Sequence, residues 1–312
     1  MCENNQSKIT EFILLGFQDF YNLKMILFML IMLIYILILS ENLLIIVLLT
    51  TSDHLKFPMF YFIKHLALAD VIFPTTVVPL MLDVILKNKR RVSVAGCITQ
   101  LHLCGVSVFS QCFLLAAMSY DRYMAILKPL HYSLIMNPNV CLALVAGSWL
   151  IVFIFISSGM IFVWQLQFCG QSYINHFYCD VGPVAALSTS DISSLVLHEL
   201  LTSVFMVFVP FVFIIITYAL IFFSIIRIPS TSGRRKCFST CSSHLTSVCT
   251  FYVTLLIVYL IPSEEDKINI NKFRSLLYIL VTPLLNPIIY SLKNKEIRGA
   301  LRKLLKYNSI NN

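Results

Sequence analysis

Charge is the scarcest property of this sequence: Asp, Glu, Lys and Arg together make up 12% of its 312 residues, against 58% hydrophobic ones. An ordinary soluble domain carries about a quarter charged residues, so this composition excludes one and points to a polytopic membrane protein. Catalytic signatures are missing too. There is no His-Glu-x-x-His, no Gly-x-Ser-x-Gly and no phosphate-cradling glycine loop, and His65, His102, His131 and His244 lack metal-ligand spacing. An enzyme, a cofactor and a metal centre are all disfavoured. The net charge of +8 comes without a patch where bases and aromatics interleave, so nucleic-acid binding is disfavoured and attraction to an inner leaflet is the better reading. No basic n-region precedes the first apolar run; Glu3, Asn4, Asn5, Gln6 and Ser7 stand there instead, and no cleavable signal peptide is expected.

What is abundant is the long apolar run. A hydrocarbon core about 30 Å thick takes roughly 20 mostly apolar residues per helix. Seven windows qualify: Met25 to Leu49, Pro58 to Leu82, Cys97 to Leu127, Val140 to Val163, Leu195 to Ile226, Phe238 to Ile261 and Ser275 to Leu292. The expected fold is an all-α integral membrane protein, a seven-helix bundle. The last span is followed by a segment in which Ile297, Ala300, Leu301, Leu304 and Leu305 share a stripe opposite bases, which reads as a short helix along the inner leaflet. The domain plan is a segment 1–24 outside, a bundle 25–292 and a cytoplasmic helix and tail 293–312. Loop charge favours an inside carboxyl terminus, although Lys87 to Arg91 count against it. Asn5-Gln6-Ser7, a possible glycosylation acceptor, supports an outside amino terminus.

Against so apolar a background each polar residue stands out. Asn42, Asp70 and Asn286 lie in separate spans, and such groups turn inward to find one another or water, so one hydrated cluster is expected. Asp121 and Arg122 are adjacent where the third run meets a basic loop; the pair can neutralise itself in low dielectric, or open so that Arg122 meets a new partner. Cys112, Cys141, Cys237, Cys241 and Cys249 sit in apolar or cytoplasm-facing stretches, where buried thiols are ordinary. Cys97 begins the third span and Cys179 lies in the long outer loop, so a disulfide between them could pin that loop over the bundle mouth.

The string Met118-Ser119-Tyr120-Asp121-Arg122-Tyr123-Met124-Ala125-Ile126-Leu127-Lys128-Pro129-Leu130-His131-Tyr132 is far more specific than its central triplet. It is accompanied by Glu11 to Phe17, Pro58 to Phe62, Leu68-Ala69-Asp70, His176 to Asp180, Lys236 to Leu245 and Pro283 to Asn294. Together these resemble the odorant (olfactory) receptor family, within the rhodopsin-like G-protein-coupled receptors, over nearly the whole chain. The resemblance implies the Cys97–Cys179 bridge, a polar cluster that holds sodium in related receptors, and a cytoplasmic switch of Asp121, Arg122, Tyr123, Tyr218 and Tyr290. The loop Lys128 to Tyr132 and the segment Arg227 to Lys236 would flank that switch. It also implies a plasma-membrane location and a stimulatory, olfactory-type G protein that raises cyclic AMP.

The family's ligand positions fall on Leu101, Cys104, Gly105, Val108 and Phe109 in the third span and on Thr202 and Met206 in the fifth. They continue with Tyr252, Leu255, Leu256 and Tyr259 in the sixth and Leu276 and Ile279 in the seventh. Tyr252, Leu255, Leu256 and Tyr259 share one helix face by spacing alone, which by itself fits packing core equally well. Cys104 stands where amine receptors carry Asp, and Leu280 where opsins carry Lys, so the implied ligand is a small, mostly apolar odorant. Its oxygen-bearing group would meet Tyr259, Tyr252 or Thr202.

Four positions depart from the family: Glu41, Leu127, Thr189 and Val253. A carboxylate at mid-span costs about 2.5–3.5 kcal/mol on insertion scales, so Glu41 is expected to face the bundle or to be protonated. Thr189 replaces the second cysteine of a loop bridge, leaving Cys169 free or paired differently. The rival function is a transporter or channel, which would show inverted repeats, matched broken spans or a line of charges across the membrane. The chain has no such repeat and few buried charges.

Overall fold

The structure is a computed structural model that describes residues 9–17, 23–52, 55–259 and 268–310; within these, the side chains of Lys236, Thr240, Tyr259, 268–269, Leu292, Lys293, Lys295 and 304–310 are outside the described set. Asn5 also lies outside the described residues. In chain order the elements are β1 Glu11–Leu15, α1 Lys24–Thr51, α2 Pro58–Lys87, β2 Lys89–Ser93, α3 Val94–Leu127, α4 Tyr132–Ile135 and α5 Pro138–Gln165. There follow β3 Tyr173–Ile174, α6 Val181–Ala185, α7 Ser193–Thr202, α8 Val209–Ile226, α9 Thr231–Tyr259, α10 Ile268–Lys293 and α11 Lys295–Ile310. Among the described residues, seven helices are long and apolar enough to cross a membrane, the fifth being α7 and α8 taken together.

The outer helices are apolar nearly all round, as a lipid solvent requires. On α1 a stripe of Ile31, Ile38, Asn42 and Ile45 is buried while Leu33, Ile36, Leu43 and Val47 stand exposed. The third span is the hub: α3 packs against α2, α5, α8 and α9. Local chemistry sets where helices begin. Ser93 caps α3 by accepting from Gly96 N at 3.1 Å, and Asn137 caps α5 by accepting from Val140 N at 3.0 Å, with Pro138 in the first turn. Asn88, in the left-handed region at φ 63°, ends α2. The fifth span carries a π-helical turn, Ser203–Phe208, directly before Pro210, whose ring nitrogen cannot donate to the carbonyl four residues earlier.

The helices begin and end a few residues beyond the apolar windows at several boundaries, and Leu260 and Ile261 lie outside the described residues. A larger difference is a three-stranded sheet, order β2-β1-β3, at one end of the bundle. β1 is antiparallel to β2, with Glu11 opposite Ser93 and Leu15 opposite Lys89, and parallel to β3. Phe12 and Leu14 point into the core while Glu11 faces outward, the alternation a strand on an apolar floor demands. The basic run that counts against the expected orientation is partly neutralised here: Asp83 pairs with Lys87 at 2.7 Å and with Arg90 at 3.1 Å.

Close packing between α5 and α7 rests on Gly159. A Cβ there would lie 2.5 Å from His198 Cε1 and 2.8 Å from its Nδ1, and that ring is held by Ser158 Oγ at 3.1 Å. Gly159→Val should therefore cost about 1–3 kcal/mol, the usual range for overpacking. Thermal denaturation of the detergent-solubilised protein should show a lowered midpoint, with a much smaller loss when Gly159→Val is placed on a His198→Ala background. Equal losses in both backgrounds would show that this contact does not set the helix spacing.

Candidate functional site

Most of the ligand positions read from the sequence turn inward. Leu101, Val108, Tyr252, Leu255 and Ile279 are buried in one apolar cluster, with Cys104, Phe109 and Leu276 half-buried against it. Three positions sit differently. Leu256 is 49% exposed on the outer face of α9, where the buried stripe runs Val248, Phe251, Tyr252 and Leu255; Tyr252 and Leu255 of the sequence stripe are inside and Leu256 is not, because a mostly apolar helix does not mark the edge of its inner face. Gly105 faces Ile156 on α5, 3.1 Å from where its Cβ would be, and Met206 packs with Val106, Val152 and Ile156 in a separate cluster. The Tyr259 side chain is outside the described residues.

Of the polar anchors, Thr202 is already engaged, its hydroxyl donating to the His198 carbonyl at 2.8 Å. Tyr252 is not. Its hydroxyl is buried beside the Cys112 thiol, a weak partner, and makes no geometrically sound hydrogen bond among the described residues. Phe211 of α8 packs on its ring at a centroid distance of 4.6 Å. Nothing in the unbroken apolar run of α8 singles out Phe211.

In mid-bundle Asn286 donates to Asp70 Oδ2 at 2.8 Å, joining α10 to α2. Asn42 does not touch that pair by a hydrogen bond; it donates to the Pro283 carbonyl at 2.9 Å and to Ile38 O at 2.9 Å. The reason lies four residues on, where Pro287 has no N–H to give the Pro283 carbonyl. Asp70 Oδ1, Asn42 Oδ1 and Asn286 Oδ1 are buried with no protein partner among the described residues. Glu41 is half-buried on α1 with its Oε2 shielded and likewise without such a partner.

At the end opposite the sheet, Arg122 is closed onto Asp121, Nε at 3.0 Å and Nη2 at 2.5 Å from Oδ2. Tyr132 of α4 donates to Asp121 Oδ1 at 2.7 Å and so pins the carboxylate from outside the helix. Burial, and then the neighbouring carboxylate, push the Tyr132 phenol well above the ordinary range. Tyr218 of α8 meets His244 Nδ1 at 2.6 Å, and His244 Nε2 meets the Leu115 carbonyl at 3.1 Å, so one imidazole ties α8 and α9 to α3. Tyr123 and Tyr218 both pack against the cluster of Ile221, Ile225 and Cys241, and the Tyr290 hydroxyl is buried near Ser247 with no geometrically sound hydrogen bond among the described residues. No hydrogen bond among the described residues joins Arg122, Tyr218 and Tyr290. Of the residues read from the sequence as a switch, Arg122 is turned onto Asp121, and His244, which the sequence marked only as lacking metal spacing, bridges Tyr218 and the Leu115 carbonyl beside them.

At the sheet end Cys97 and Cys179 are joined, with Cα atoms 5.5 Å apart. Gln100 reinforces that bond, accepting from Cys179 N at 2.8 Å and donating to Thr76 O at 2.9 Å. Lys272 of α10, only 2% exposed, donates to Gly16 O and to Asn175 Oδ1, both at 2.8 Å. Cys169 is disulfide-bonded, which removes the alternative of a free thiol. On α11, Ile297 is buried and Ala300 and Leu301 pack against the core; Leu304 and Leu305 lie among the side chains outside the described set.

A family model described as "Olfactory receptor" matches residues 31–308. The chain is 43% identical to olfactory receptor 5P68 of Mus musculus, over 96% of each chain. It is also 43% identical to olfactory receptor 11A1 of Homo sapiens, over 95% of this chain and 94% of that one. Among solved structures it is similar to squid rhodopsin, with a TM-score of 0.73 and 20% identity over 88% of this chain and 78% of that one, a likeness of fold.

The loop over the bundle mouth carries a pH dependence. Burial, and then the nearby Lys272 ammonium, push the His176 imidazole down to about 3. In the unfolded chain that imidazole takes up a proton near pH 6.5, whereas the folded one stays neutral, so stability falls as pH drops from about 6.5 towards about 3. Burial raises Asp180 and works in the opposite sense, so the comparison must isolate the imidazole. The thermal midpoint of purified protein should fall between about pH 7 and about pH 5, and His176→Phe should reduce that fall. An undiminished fall in the variant would place the titrating group elsewhere.

Proposed function

The chain belongs to the olfactory receptor family, and from that premise we propose that it binds a small, mostly apolar odorant within the helix bundle and activates a stimulatory, olfactory-type G protein. Members of this family are multi-pass membrane receptors that sense odorants through G proteins and are not enzymes. The finer reading is a plasma-membrane receptor with segment 1–24 and the sheet end outside, the bundle at 25–292, and segment 293–312 along the inner leaflet. The observation that carries the ligand reading is Tyr252 of α9, whose buried hydroxyl has only the weak Cys112 thiol beside it and no sound hydrogen bond among the described residues. A ligand oxygen would complete it while Leu101, Val108, Leu255 and Ile279 enclose an apolar body. A transporter or channel is not favoured by any of these features.

In this proposal the resting state is held at two points. Tyr132 keeps Asp121 against Arg122, and His244 ties Tyr218 and the Leu115 carbonyl together. Moving α9 outward would break the second tie and let Arg122 turn towards Tyr218 and Tyr290, opening a groove for an amphipathic helix of the partner. Between α8 and α9 a half-open groove of about 240 Å³ is lined by Tyr218, Ile225, Phe238 and Leu245.

The test is cyclic AMP in cells that express the chain with an olfactory-type G protein, screened against a diverse odorant panel at matched surface expression. Arg122→Ala should abolish the response. Tyr252→Phe should weaken ligand potency about 3- to 10-fold, the worth of one hydrogen bond. Tyr132→Phe should raise the unliganded signal, because Asp121 loses its external clamp. A potent agonist that proves to be a cationic amine, or a Tyr252→Phe variant with unchanged potency for every agonist, would overturn the ligand reading.

A further inference from the structure

Two bases stand at the unfavourable end of a helix. Arg234 and Arg235 lie in the opening turns of α9, where the backbone dipole is already positive, and no acidic residue stands in the first turn. Between Glu199 and Glu264 the chain has no Asp or Glu, against Arg227, Arg234, Arg235 and Lys236. Arg234 is half-buried, and among the described residues no ion pair reaches it or Arg235. Positive charge gathered in this way at a helix start is relieved by an anion from outside the chain.

The half-open groove between α8 and α9 begins one turn further along. Tyr218, Ile221, Phe222 and Ile225 form its α8 wall, and Phe238, Cys241 and Leu245 its α9 wall. Arg234, Phe238, Cys241 and Leu245 recur at i, i+4, i+7 and i+11, so Arg234 stands on the same stripe of α9 as the apolar wall, nearer the helix start. From Tyr218 to Ile225 the groove runs about 10 Å along the helix axis, inside the roughly 15 Å of hydrocarbon that one leaflet contributes. Two contacts bridge its walls, Tyr218 with His244 at 2.6 Å and the edge-on rings of Phe222 and Phe238 at 6.5 Å.

We propose that this end of the α8–α9 pair is a binding site for an anionic phospholipid of the adjoining leaflet, with its phosphate at the start of α9 beside Arg234 and Arg235 and one acyl chain in the groove. The two halves of the site select together. A zwitterionic lipid brings the chain without net charge, and a free headgroup brings the charge without the chain; an anionic lipid brings both. The chain packs against the ring of Tyr218, whose hydroxyl makes the His244 tie, so the site adjoins the contact proposed to hold the resting state.

That this leaflet is the inner one rests on the orientation proposed above, and lipid nanodiscs test the site apart from that orientation because both leaflets are alike. The purified full chain is placed in phosphatidylcholine nanodiscs holding a small fraction of phosphatidylserine with a diazirine midway along one acyl chain. After illumination and proteolysis, mass spectrometry should find the label concentrated on residues 218–225 and 238–245. Unlabelled phosphatidylserine should compete, whereas added phosphatidylcholine and soluble glycerophosphoserine should not. Arg234→Ala should lower groove labelling about 5-fold, the worth of one base near an anionic surface, while Arg302→Ala on α11 leaves it unchanged. Leu245→Trp, which fills the groove, should abolish the labelling at an unchanged thermal midpoint.

Label spread evenly over the outer faces of α1 and α5, or groove labelling that survives Arg234→Ala, would reduce the contact to general lipid solvation and overturn the site. Competition by glycerophosphoserine would overturn the acyl-chain half, and a fatty acyl group already linked to Cys237 or Cys241 would overturn the free lipid as occupant. Groove labelling in a chain that gives no cyclic AMP response to any odorant would support the site and count against the signalling function instead.

Discussion

In a hydrocarbon slab a peptide carbonyl without a donor costs several kcal/mol, because no water is present to supply one. Pro287 creates such a carbonyl at Pro283, and Asn42 answers it from another helix at 2.9 Å. Much of the architecture follows from the same constraint. Residues buried in lipid are helical and satisfy their own backbones, while the sheet and irregular loops are gathered at the bundle end, where strand edges can be paired or wetted. Where a helix departs from ideal geometry a proline stands nearby: Pro210 follows the π-helical turn, and Pro287 leaves the carbonyl that a side chain from α1 then ties to α10. One polar side chain thus converts a local defect into a bond between the first and last spans.

How far the sequence discloses this depends on whether the relevant interaction is local. Long apolar runs and cap residues are local, so the seven spans, Ser93 and Asn137 are readable within a few positions. The facing of Leu256 is not, because Thr231–Tyr259 has too little contrast between its sides for periodicity to choose one. Lys89–Ser93 reads as a charged loop, and it becomes a strand only because β1 arrives from far along the chain to pair with it. Lys272 reads as one more surface base. Its burial becomes tolerable through Gly16 O and Asn175 Oδ1, two partners that lie far away in sequence. Motif residues are a mixed case: Asp70, Arg122 and Asn286 are conspicuous by type, whereas the partners that give them a state, Tyr132 and His244 among them, are fixed only by the fold.

The two ends of the bundle are mechanically joined by α3 and α9. Gln100 near the start of α3 holds the disulfide-anchored loop, and the last turns of the same unbroken helix carry Asp121 and Arg122, so one helix runs from the loop to that pair. On α9, Tyr252 and His244 are eight residues apart, about 12 Å along the axis at 1.5 Å per residue. In the proposed mechanism a ligand that draws on the Tyr252 hydroxyl acts on the helix whose other segment carries the His244 tie. That tie consists of two neutral hydrogen bonds, each worth about 0.5–1.5 kcal/mol net.

Those magnitudes set the scale of the switch. Moving a two-state equilibrium from 1:99 to 99:1 takes about 5.5 kcal/mol of differential binding, more than a single ligand hydrogen bond provides. In the proposed mechanism a small apolar ligand would therefore gain much of its preference for the open state from enclosure, at roughly 25 cal/mol for each Å² of apolar surface removed from water. Walls that close around it serve that end better than added polar anchors. Leu101, Val108, Leu255 and Ile279 belong to the same apolar core as Tyr252, whose hydroxyl has no sound hydrogen bond among the described residues, and in the proposed site packing would supply the energy and Tyr252 the orientation. A mouth held by Cys97–Cys179, Gln100 and Lys272 contributes to the same balance, since a loosened roof would return enclosed apolar surface to water in both states and erase the difference between them.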